Sequence, residues 1–366
     1  MSDNLTLSID AMGGDNAPDM VVEGVDTALE RLTGVSFLLF GDEARLNPLL
    51  DRFPRARAVS QVRHTSDVVT NDAKPAHALR QGRASSMRLA INAVADGEAA
   101  GIVSAGNTGA LMAMAKFVLK TLPGIDRPAI ATYFPTRRGE SVMLDLGANV
   151  ECDAENLIQF AVMGEVFARN VLGLENPSVG ILNVGQEDLK GNQAVKLASQ
   201  GLMNAALPLH FHGFVEGDDI GAGTVDVIVT DGFTGNVALK TAEGTAKLFG
   251  HFLREALTST FTAKLGALLA KRALMTFKMR IDPRRYNGAM LVGLNGICVK
   301  SHGGTDGVGF ANAIHVAVDL ISNNFNESIK EDYEKFRASS DPDALKDSSD
   351  PTDTNTPDGS GAVANG

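Results

Sequence analysis

Cysteine is scarce in this chain of 366 residues. Only Cys152 and Cys298 occur, far apart in the sequence, and neither belongs to a Cys-x-x-Cys pair. Neither a disulfide framework nor a cysteine-ligated zinc site is therefore indicated, and the composition fits a reducing cytoplasm.

The sequence also lacks an excess of positive charge and long apolar runs. Its formal net charge of −11 argues against a general nucleic-acid binder, because affinity for a phosphate backbone needs clustered Lys and Arg. The N-terminus, Met-Ser-Asp-Asn, carries an acid where a signal peptide needs positive charge, and no apolar run reaches the about 18 residues that span a bilayer. We therefore expect a soluble, cytoplasmic protein that holds any anionic ligand locally, with peripheral membrane contact left open.

Motifs for nucleotides and for a serine nucleophile are absent as well. We find neither Gly-x-Gly-x-x-Gly nor Gly-x-x-x-x-Gly-Lys, the loops that hold dinucleotides and nucleoside triphosphates. The segment Gly101-Ile-Val-Ser104 is not the Gly-x-Ser-x-Gly elbow of serine hydrolases. We expect no nucleotide cofactor, no metal and no acyl-serine intermediate.

Short β-branched and apolar runs alternate with helical patterns through most of the chain, of which 44% is apolar. This alternation predicts an α/β fold with a doubly wound, mostly parallel sheet and helices on both faces. Near-continuous apolar runs such as residues 225 to 230 suit strands that are covered on both sides. The predicted strands are Leu5 to Asp10, Val35 to Gly41, Gly101 to Ser104, Val142 to Leu146, Val179 to Val184 and Val225 to Thr230.

The ends of the first helix and of the folded region can also be predicted. Asp15 and Asn16 precede Pro18 and are candidate caps for a helix that runs towards Gly34. Residues 339–366 contain six Asp and a single Lys among Ser, Pro, Thr and Gly, and cannot bury enough apolar surface to fold. We predict one catalytic domain over residues 1–338, with two loosely defined α/β lobes, and a disordered acidic tail.

Four segments place glycine beside small polar residues directly after a predicted strand. Glycine allows the backbone to approach an anion, and a following helix adds its positive N-terminal end. The loop after Gly101 to Ser104 suits phosphate best, because it adds neutral donors before a helical run. The alternative is that each loop is an ordinary tight turn. The segments are Asp10 to Asp15, Ser104 to Gly109, Asp231 to Asn236 and Ser301 to Gly304.

Two further patterns carry a weaker functional prediction. Cys298 lies four residues before His302, which permits a thiol–imidazole pair, but a cysteine in an apolar strand more often packs in the core. His210 and His212 share a strand face without a third ligand at a recognisable spacing, so we interpret them as structural.

Taken in order, four motifs resemble those of the bacterial phosphate acyltransferases over roughly residues 5 to 335. They are Asp-Ala-Met-Gly-Gly-Asp at 10–15, Ser-Ala-Gly-Asn-Thr-Gly at 104–109, Leu-Asn-Val-Gly-Gln-Glu-Asp-Leu-Lys-Gly at 182–191 and Thr-Asp-Gly-Phe-Thr-Gly-Asn-Val at 230–237. The resemblance implies transfer of a long-chain acyl group from acyl-[acyl-carrier protein] to inorganic phosphate for phospholipid synthesis. It also implies a homodimer and a fold similar to phosphate acetyltransferases and to isocitrate and isopropylmalate dehydrogenases.

The resemblance and the loop chemistry together suggest which residues form the site. The phosphate-binding candidates are Ser104, Gly106, Asn107, Thr108 and Gly109. Lys190 and Asn236 are the catalytic candidates for donors to the reacting carbonyl, although a solvated lysine and a helix cap are the common uses of these residues. Further candidates for substrate binding are Asp10, Gly13, Gly14, Asp15, Asp231, Gly232, Gly235, His302 and Gly303.

Residues 264–285 form a basic stretch, with seven Lys and Arg against the single acid Asp282. Their apolar residues recur at helical spacing, which predicts an amphipathic helix. Such a stretch could dock an acidic carrier protein, contact an anionic membrane or the downstream membrane acyltransferase, or form a dimer interface, and the sequence leaves these open.

Alternative functions remain at this point. The chain could be a phosphotransacylase that uses coenzyme A thioesters, or a thiolase-like enzyme with Cys298 as nucleophile. It could also be a non-catalytic module that binds an acyl-carrier protein or lipid.

Overall fold

The structure is a computed structural model that describes residues 5–204 and 209–339. Within these residues it contains one sheet of eleven strands, fourteen α-helices and a short 3₁₀ helix at Pro283–Tyr286. The strands are β1 Leu5–Asp10, β2 Val35–Gly41, β3 Ser60–His64, β4 Gly101–Ser104, β5 Ala129–Pro135, β6 Glu140–Leu144, β7 Ser178–Leu182, β8 His210–Val215, β9 Val227–Val229, β10 Ala289–Val292 and β11 Ile297–Lys300.

The helices follow the strands in alternation over most of the chain. They are α1 Asp19–Ala28, α2 Glu43–Leu50, α3 Pro54–Val59, α4 Pro75–Gln81, α5 Ser86–Ala95, α6 Thr108–Leu119, α7 Ala154–Leu172, α8 Gln193–Asn204, α9 Gly217–Ala222, α10 Gly232–Thr258, α11 Phe261–Leu269, α12 Lys271–Arg280, α13 Gly307–Ser322 and α14 Phe325–Ser339.

The sheet consists of two parallel blocks joined by antiparallel strands. Its order is β3-β2-β1-β4-β11-β10-β5-β6-β9-β7-β8. Seven of the ten pairings between neighbouring strands are parallel, and the three antiparallel ones involve β10, β5 and β6. Three reversals of direction lie between the blocks, so the strands of the second block run opposite to those of the first.

Helices cover both faces of the sheet, as the apolar runs predict. Along β1, Leu7 and Ile9 pack in a core with residues of α1, α7 and α13. The side chain between them, Ser8, points to the other face and donates to the carbonyl of Ala90 in α5 at 2.8 Å. Each fully buried leucine or isoleucine contributes roughly 1.5–3 kcal/mol relative to exposure, so two apolar faces hold the sheet between its helices.

Three predicted strands, β1, β2 and β4, have the observed bounds, while β6, β7 and β9 differ from prediction by a few residues at their ends. Strands β3, β5, β8, β10 and β11 were not predicted. The edge strand β3 reads Ser-Gln-Val-Arg-His and lacks an apolar run, because only one of its sides pairs with a neighbour. Strands β5 and β10 pair antiparallel between the two blocks. No local sequence pattern predicts this pairing.

The predicted caps of the first helix are wrong. Pro18 is the residue that precedes α1, and no side chain caps it. Asp15 instead accepts a hydrogen bond from the amide of Asn71 at 2.6 Å, and the amide of Asn16 donates to the carbonyl of Thr305 at 3.1 Å. Both side chains therefore join the first loop to other loops. The helix ends at Ala28, short of Gly34.

Helices α10, α11 and α12 form an arm, residues 232–280, that is barely buried. In the 27-residue α10 only Gly232 and Gly235 are buried, and α11 and α12 have no buried residue. The predicted basic amphipathic stretch is helical, but it divides at Ala270 and ends in the 3₁₀ helix, so it is not one continuous helix.

None of the described helices is long and apolar enough to cross a membrane. Of the predicted acidic tail, Ser339 is the last residue of α14, and residues 340–366 lie outside the described residues. The division into two lobes stays a prediction.

Candidate active site

Three neighbouring strands of the first block end in polar side chains at adjacent positions. In the order β1-β4-β11, Asp10 pairs with Ser104 and Ser104 pairs with Lys300, each the last residue of its strand. The three following loops therefore leave the sheet side by side at the carboxyl ends of parallel strands, where α/β folds bind ligands.

Asp10 holds the start of the loop after β4 through hydrogen bonds on the buried side of that loop. Its carboxylate, 1% exposed, accepts hydrogen bonds from the hydroxyls of Ser86 at 2.6 Å and Ser104 at 2.7 Å. The Ser104 oxygen in turn accepts from the N–H of Gly106 at 3.1 Å. Burial raises the pKa of Asp10, and these hydrogen bonds oppose that shift. Ser104 is itself fully buried, so it shapes the loop from behind and does not reach the surface of the site.

The glycines of the first loop allow it to pack against the second. A Cβ added at Gly13 would lie 2.3 Å from a carboxylate oxygen of Asp10 and 2.7 Å from the nitrogen of Gly106. Gly14 has a φ of +111°, which favours glycine, and lies against Ala105 and the carbonyl of Gly303. The N–H of Asp15 donates to that same carbonyl at 2.8 Å. The loops after β1, β4 and β11 are thus in direct contact.

These loops surround a cavity of about 360 Å³. Its size falls in the usual range for small-molecule sites. The lining residues are Asp15, Asn71, Ala105, Gly106, Asn107, Thr108, Gly109, Lys300, His302, Gly303 and Gly304.

The N-terminus of α6 opens into this cavity. Asn107 caps the helix by accepting from the N–H of Ala110 at 2.9 Å, and its amide donates to the carbonyls of Asn71 and Ala73. The N–H groups of Thr108 and Gly109 have no acceptor among the described residues. Unpaired N–H groups in a first turn, together with the helix dipole, favour a bound anion.

Lys300 is a charged residue of the cavity that sequence reasoning missed, as it missed Asn71. Its ammonium group donates to the carbonyls of Ala105, at 3.4 Å, and Ser301, and it lines the cavity. Burial lowers the pKa of Lys300 to about 8, while the charges of Asp10 and Asp15 oppose that shift. A lysine that closes an otherwise apolar strand directly before a glycine loop is the signal that could have found it.

His302 is held in one orientation beside the lysine. Its backbone N–H donates to the side-chain oxygen of Asn287 at 2.8 Å, and its ring Nδ1 accepts from the backbone N–H of Gly304 at 3.1 Å. Burial and the positive charges of Lys300 and Lys240 lower the pKa of His302. The imidazole is therefore neutral at neutral pH and can donate through Nε2.

Cys298 does not reach the cavity. It is fully buried in the core between the sheet, α5 and α6, and burial raises the pKa of its thiol to about 12. A thiol in such surroundings is inert, which agrees with its interpretation as a packing residue. His210 and His212 are both exposed on β8, and no group of three or more His, Cys, Asp or Glu able to hold a metal occurs within residues 5–204 and 209–339.

A second cluster of polar groups lies in the other block, around Asp145. This carboxylate was not among the candidates and accepts five hydrogen bonds, from the N–H groups of Ile130, Gly147, Ala148 and Asn149 and from the amide of Asn149. The start of α10 packs on this loop: the N–H of Gly232 donates to the carbonyl of Asn149 at 2.7 Å, and a Cβ at Gly235 would lie 1.9 Å from the carbonyl oxygen of Asp145.

Three of the candidates in this cluster have structural contacts. Asp231 caps α10 by accepting from the N–H of Thr234 at 2.8 Å, while Gly232 and Gly235 provide close packing. Asn236 is exposed one turn into the helix, and a Cβ at Gly147 would lie 3.6 Å from it.

Lys190 lies in a third loop, after β7. Its N–H donates to the carbonyl of Glu187 at 2.9 Å and its own carbonyl accepts from Asn183, while the side chain is exposed. The cavity thus brings together the candidates from the loops after β1, β4 and β11. Among the described contacts, Lys190, Asn236 and the Asp231 loop lie apart from it.

Helix α10 begins in the second cluster and carries charges that act on His302. Asn236, Lys240 and Lys247 recur at positions i, i+4 and i+11, which lie on one face of a helix. The charges of Lys240 and Lys247 contribute to lowering the pKa of His302, and the charge of Glu243, on the same helix, opposes them.

Comparison with known proteins agrees with this geometry. Residues 5–328 match the model of a family described as "Fatty acid synthesis protein". The phosphate acyltransferase of Rhodospirillum centenum is 64% identical, with 94% of this chain and 97% of that protein covered. The phosphate acyltransferase of Paramagnetospirillum magneticum is 63% identical, with 92% and 96% covered.

The chain belongs to the phosphate acyltransferase family. The resemblance in the four motifs is thereby confirmed, and with it the prediction of an acyltransferase enzyme.

The fold is similar to that of solved phosphotransacetylases. That of Streptococcus pyogenes has a TM-score of 0.58 at 16% identity, with 88% of this chain and 95% of that chain covered. EutD phosphotransacetylase of Staphylococcus aureus has a TM-score of 0.56 at 17% identity, with 87% and 95% covered. The predicted fold class is confirmed, whereas the likeness to isopropylmalate dehydrogenases stays a prediction.

Proposed function

We propose that this chain transfers a long-chain acyl group from acyl-[acyl-carrier protein] to inorganic phosphate, producing acyl phosphate and the free carrier thiol. The observation that carries the proposal is the cavity at three adjacent strand ends, where unpaired N–H groups of α6 and the ammonium group of Lys300 converge. Membership of the family supports acyl transfer to phosphate as the reaction class. The proposal that the acyl donor is bound to a carrier protein rests on the motif resemblance.

Phosphate fits the cavity by charge and by size. The N–H groups of Thr108 and Gly109 and the Thr108 hydroxyl are neutral donors, and Lys300 adds one positive charge. In a protein of net charge −11, such local donors are what hold an anion. Asp15 also lines the cavity, and its carboxylate, which accepts from the amide of Asn71 at 2.6 Å, opposes the binding of an anion.

The reaction follows as a direct attack. A phosphate oxygen forms a bond to the thioester carbonyl carbon, and the carbonyl electrons move to oxygen. The tetrahedral oxyanion then collapses, the C–S bond breaks, and the electron pair leaves with the thiolate, which takes a proton from solvent. Holding the reactants in a near-attack geometry supplies about 7 kcal/mol or more of barrier reduction in well-oriented systems. The inert Cys298 supports attack without a thiol acyl-enzyme.

Asn236 and Lys190 remain our proposed donors to the oxyanion. What supports Asn236 is its place in a family motif at the start of α10, on the same helix face as Lys240 and Lys247, whose charges act on His302. What supports Lys190 is its exposed side chain in a family motif after β7. A preorganised donor contributes about 3–4 kcal/mol to the transition state.

The partners of the arm are also proposals. Large apolar side chains are exposed along α10 and α11, including Phe249 at 67% and Phe261 at 82%. Burying such a surface against a second copy would form the homodimer that the resemblance implies. The basic stretch 264–285 would then supply peripheral contact with an anionic membrane or the downstream membrane acyltransferase.

The test is incubation of the protein with palmitoyl-carrier protein and labelled phosphate, with acyl phosphate and free thiol measured together. We expect phosphate-dependent thiol release, and at least a hundredfold slower turnover for Asn236→Ala and Lys190→Ala with the fold intact. Faster turnover with palmitoyl-coenzyme A than with the carrier would favour the coenzyme A-dependent alternative. A burst of acylated Cys298 would favour the thiolase-like one. Thiol release that does not depend on phosphate, or no release, would contradict the proposal.

A further inference from the structure

Helices α4, α5 and α6 have a charge pattern opposite to that of the chain as a whole. Residues 73–95 and 105–125 contain no Asp or Glu, although the chain carries a net charge of −11. They contain six Lys and Arg, which we call the basic strip. Its members are Lys74, Arg80, Arg83, Arg88, Lys116 and Lys120.

The helices that carry the basic strip pack against one another, and the strip begins at the cavity. Pro75, next to Lys74, lies against Gly109 of the cavity wall, with 2.8 Å between its Cγ and an added Cβ. Further along α6, Met114 lies against Gly82 in the turn that carries Arg83. From Gly109 to Lys120 the helix rises about 16 Å. The strip therefore runs outward from the rim of the proposed phosphate site.

At the far end of the basic strip, two cations bracket an exposed aromatic ring. The guanidinium of Arg88 lies 5.3 Å from the ring centroid of Phe117, and the ammonium of Lys120 lies 5.2 Å from it. Phe117 is 55% exposed and is the only large apolar side chain so exposed on the three described helices. An exposed aromatic ring among cations is a typical anchor at a protein interface.

No cation of the basic strip forms an ion pair with any described residue. Burial and the neighbouring charge of Arg83 lower the pKa of Arg88, so like charges are crowded here. Exposed cations such as Arg55 and Arg63 are paired with acids, whereas Lys271 and Arg272 of the arm are without an ion pair among the described residues, as the strip is. Crowded and unpaired positive charge is unfavourable in the isolated chain and is relieved by an acidic partner.

We propose that the basic strip docks the acidic protein that delivers the acyl thioester, so that its prosthetic arm enters the cavity at the N-terminus of α6. This inference rests on the function proposed above and assigns carrier docking to α4–α6 instead of to residues 264–285. A membrane is the poorer match, because interfacial helices need a broad apolar face and the strip offers a single ring. The arm α10–α12 has that apolar surface.

The test compares two double charge reversals with the wild-type protein. Arg83→Glu with Lys116→Glu changes the strip at two exposed residues outside the cavity wall, and Lys271→Glu with Arg272→Glu is the matched control on the arm. We expect the strip variant to raise the apparent KM for acyl-carrier protein at least tenfold, with the KM for phosphate and the melting temperature unchanged. In the wild type the KM for acyl-carrier protein should rise steeply with salt concentration. In the arm variant the KM for acyl-carrier protein should stay within twofold of the wild-type value.

Each other outcome overturns the proposal. A strip variant whose KM for acyl-carrier protein stays within twofold contradicts it directly. A rise confined to the arm variant assigns docking to residues 264–285. Loss of binding to anionic vesicles by the strip variant, without a change in KM, identifies a membrane surface instead. Wild-type production of acyl phosphate is measured first, so failure of the proposed function is seen separately from failure of the docking surface.

Discussion

The two buried carboxylates Asp10 and Asp145 each lie at the carboxyl end of a strand, one in each block of the sheet. Asp10 is the last residue of β1, and Asp145 directly follows β6. Both are almost fully buried, and desolvation raises the pKa of each. They differ in what donates to them, and this difference separates a ligand site from a structural turn.

Asp10 is held mainly by the hydroxyls of Ser86 and Ser104, which can rotate and can accept as well as donate. Asp145 is held by four backbone N–H groups, whose positions are set by the chain. The carboxylate of Asp145 therefore folds its own loop into a filled turn beneath α10. Asp10 is covered by Gly13 and Gly106 and supports the loop after β4, and that loop lines the cavity together with Lys300.

The largest expected effect is at Lys300, which only the Asp10 side of the comparison possesses. Lys300→Met removes the positive charge but keeps a side chain of similar length. We expect kcat/KM for phosphate to fall about a thousandfold, equivalent to about 4 kcal/mol, as for loss of a preorganised electrostatic donor. Stability should change little, because relief from desolvating the buried ammonium is offset by the donor that the carbonyls of Ala105 and Ser301 lose and by the positive charge removed from near Asp10. Steady-state kinetics and thermal unfolding measure the two quantities, and an unchanged kcat/KM would remove Lys300 from the site.

The next effect concerns the free energy of unfolding at Asp145. Asp145→Asn places an NH₂ group opposite backbone N–H groups that cannot turn away. At least one buried donor then loses its acceptor, and charge-assisted bonds become neutral, so we expect a loss of about 3 kcal/mol.

Asp10→Asn is the matched control for that substitution. The hydroxyls of Ser86 and Ser104 can rotate to accept from the new amide, so we expect a stability loss of about 1 kcal/mol or less. Its activity should fall about tenfold, because Ser104 no longer orients Gly106 in the same way. Urea unfolding measures the free energy of unfolding of both variants. Equal losses would contradict the distinction between rotatable donors at Asp10 and fixed backbone donors at Asp145.

The smallest effect is a pH dependence of phosphate binding. Burial holds the pKa of Lys300 at about 8, so the ammonium charge is present below that pH and is lost as the pH rises through it. The KM for phosphate should increase about tenfold per pH unit above about 8. Lys300→Arg keeps its charge over this range, so the rise in its KM for phosphate should begin at a higher pH. If the KM for phosphate of Lys300→Arg rises at the same pH as that of the wild type, the titrating group is not Lys300.

Part of the fold could be read from local patterns. The bounds of β1, β2 and β4 follow from apolar runs that end at polar residues, because central parallel strands are covered on both faces. The edge strand β3 could not be read in this way, because it is largely exposed and has no apolar run. The pairing of β5 with β10 could not, because these two strands lie far apart in the sequence. The caps at Asp15 and Asn16 were wrong for a similar reason, since their side chains bond to residues of distant loops.

The candidate site was predicted in its parts but not in its arrangement. Glycine loops can be recognised because close backbone approach demands glycine wherever the chain folds, as at Gly13. Lys300 carries little local signal, since a lysine in a short strand is usually exposed. Its role appears only when β11 lies beside β4 and the ammonium group is buried against Ala105.

By itself, the sequence determined the fold class and the family and marked four glycine loops as candidates, because these depend on local chain chemistry and on motif order, but it did not tell which of the four line one cavity. Only the tertiary structure decided that Ser104 lies behind its loop, that Lys300 supplies the charge, and that Asp145 fills a turn. Each of these depends on burial and on hydrogen-bond partners from distant segments, and such partners are set by how the two blocks of strands pack.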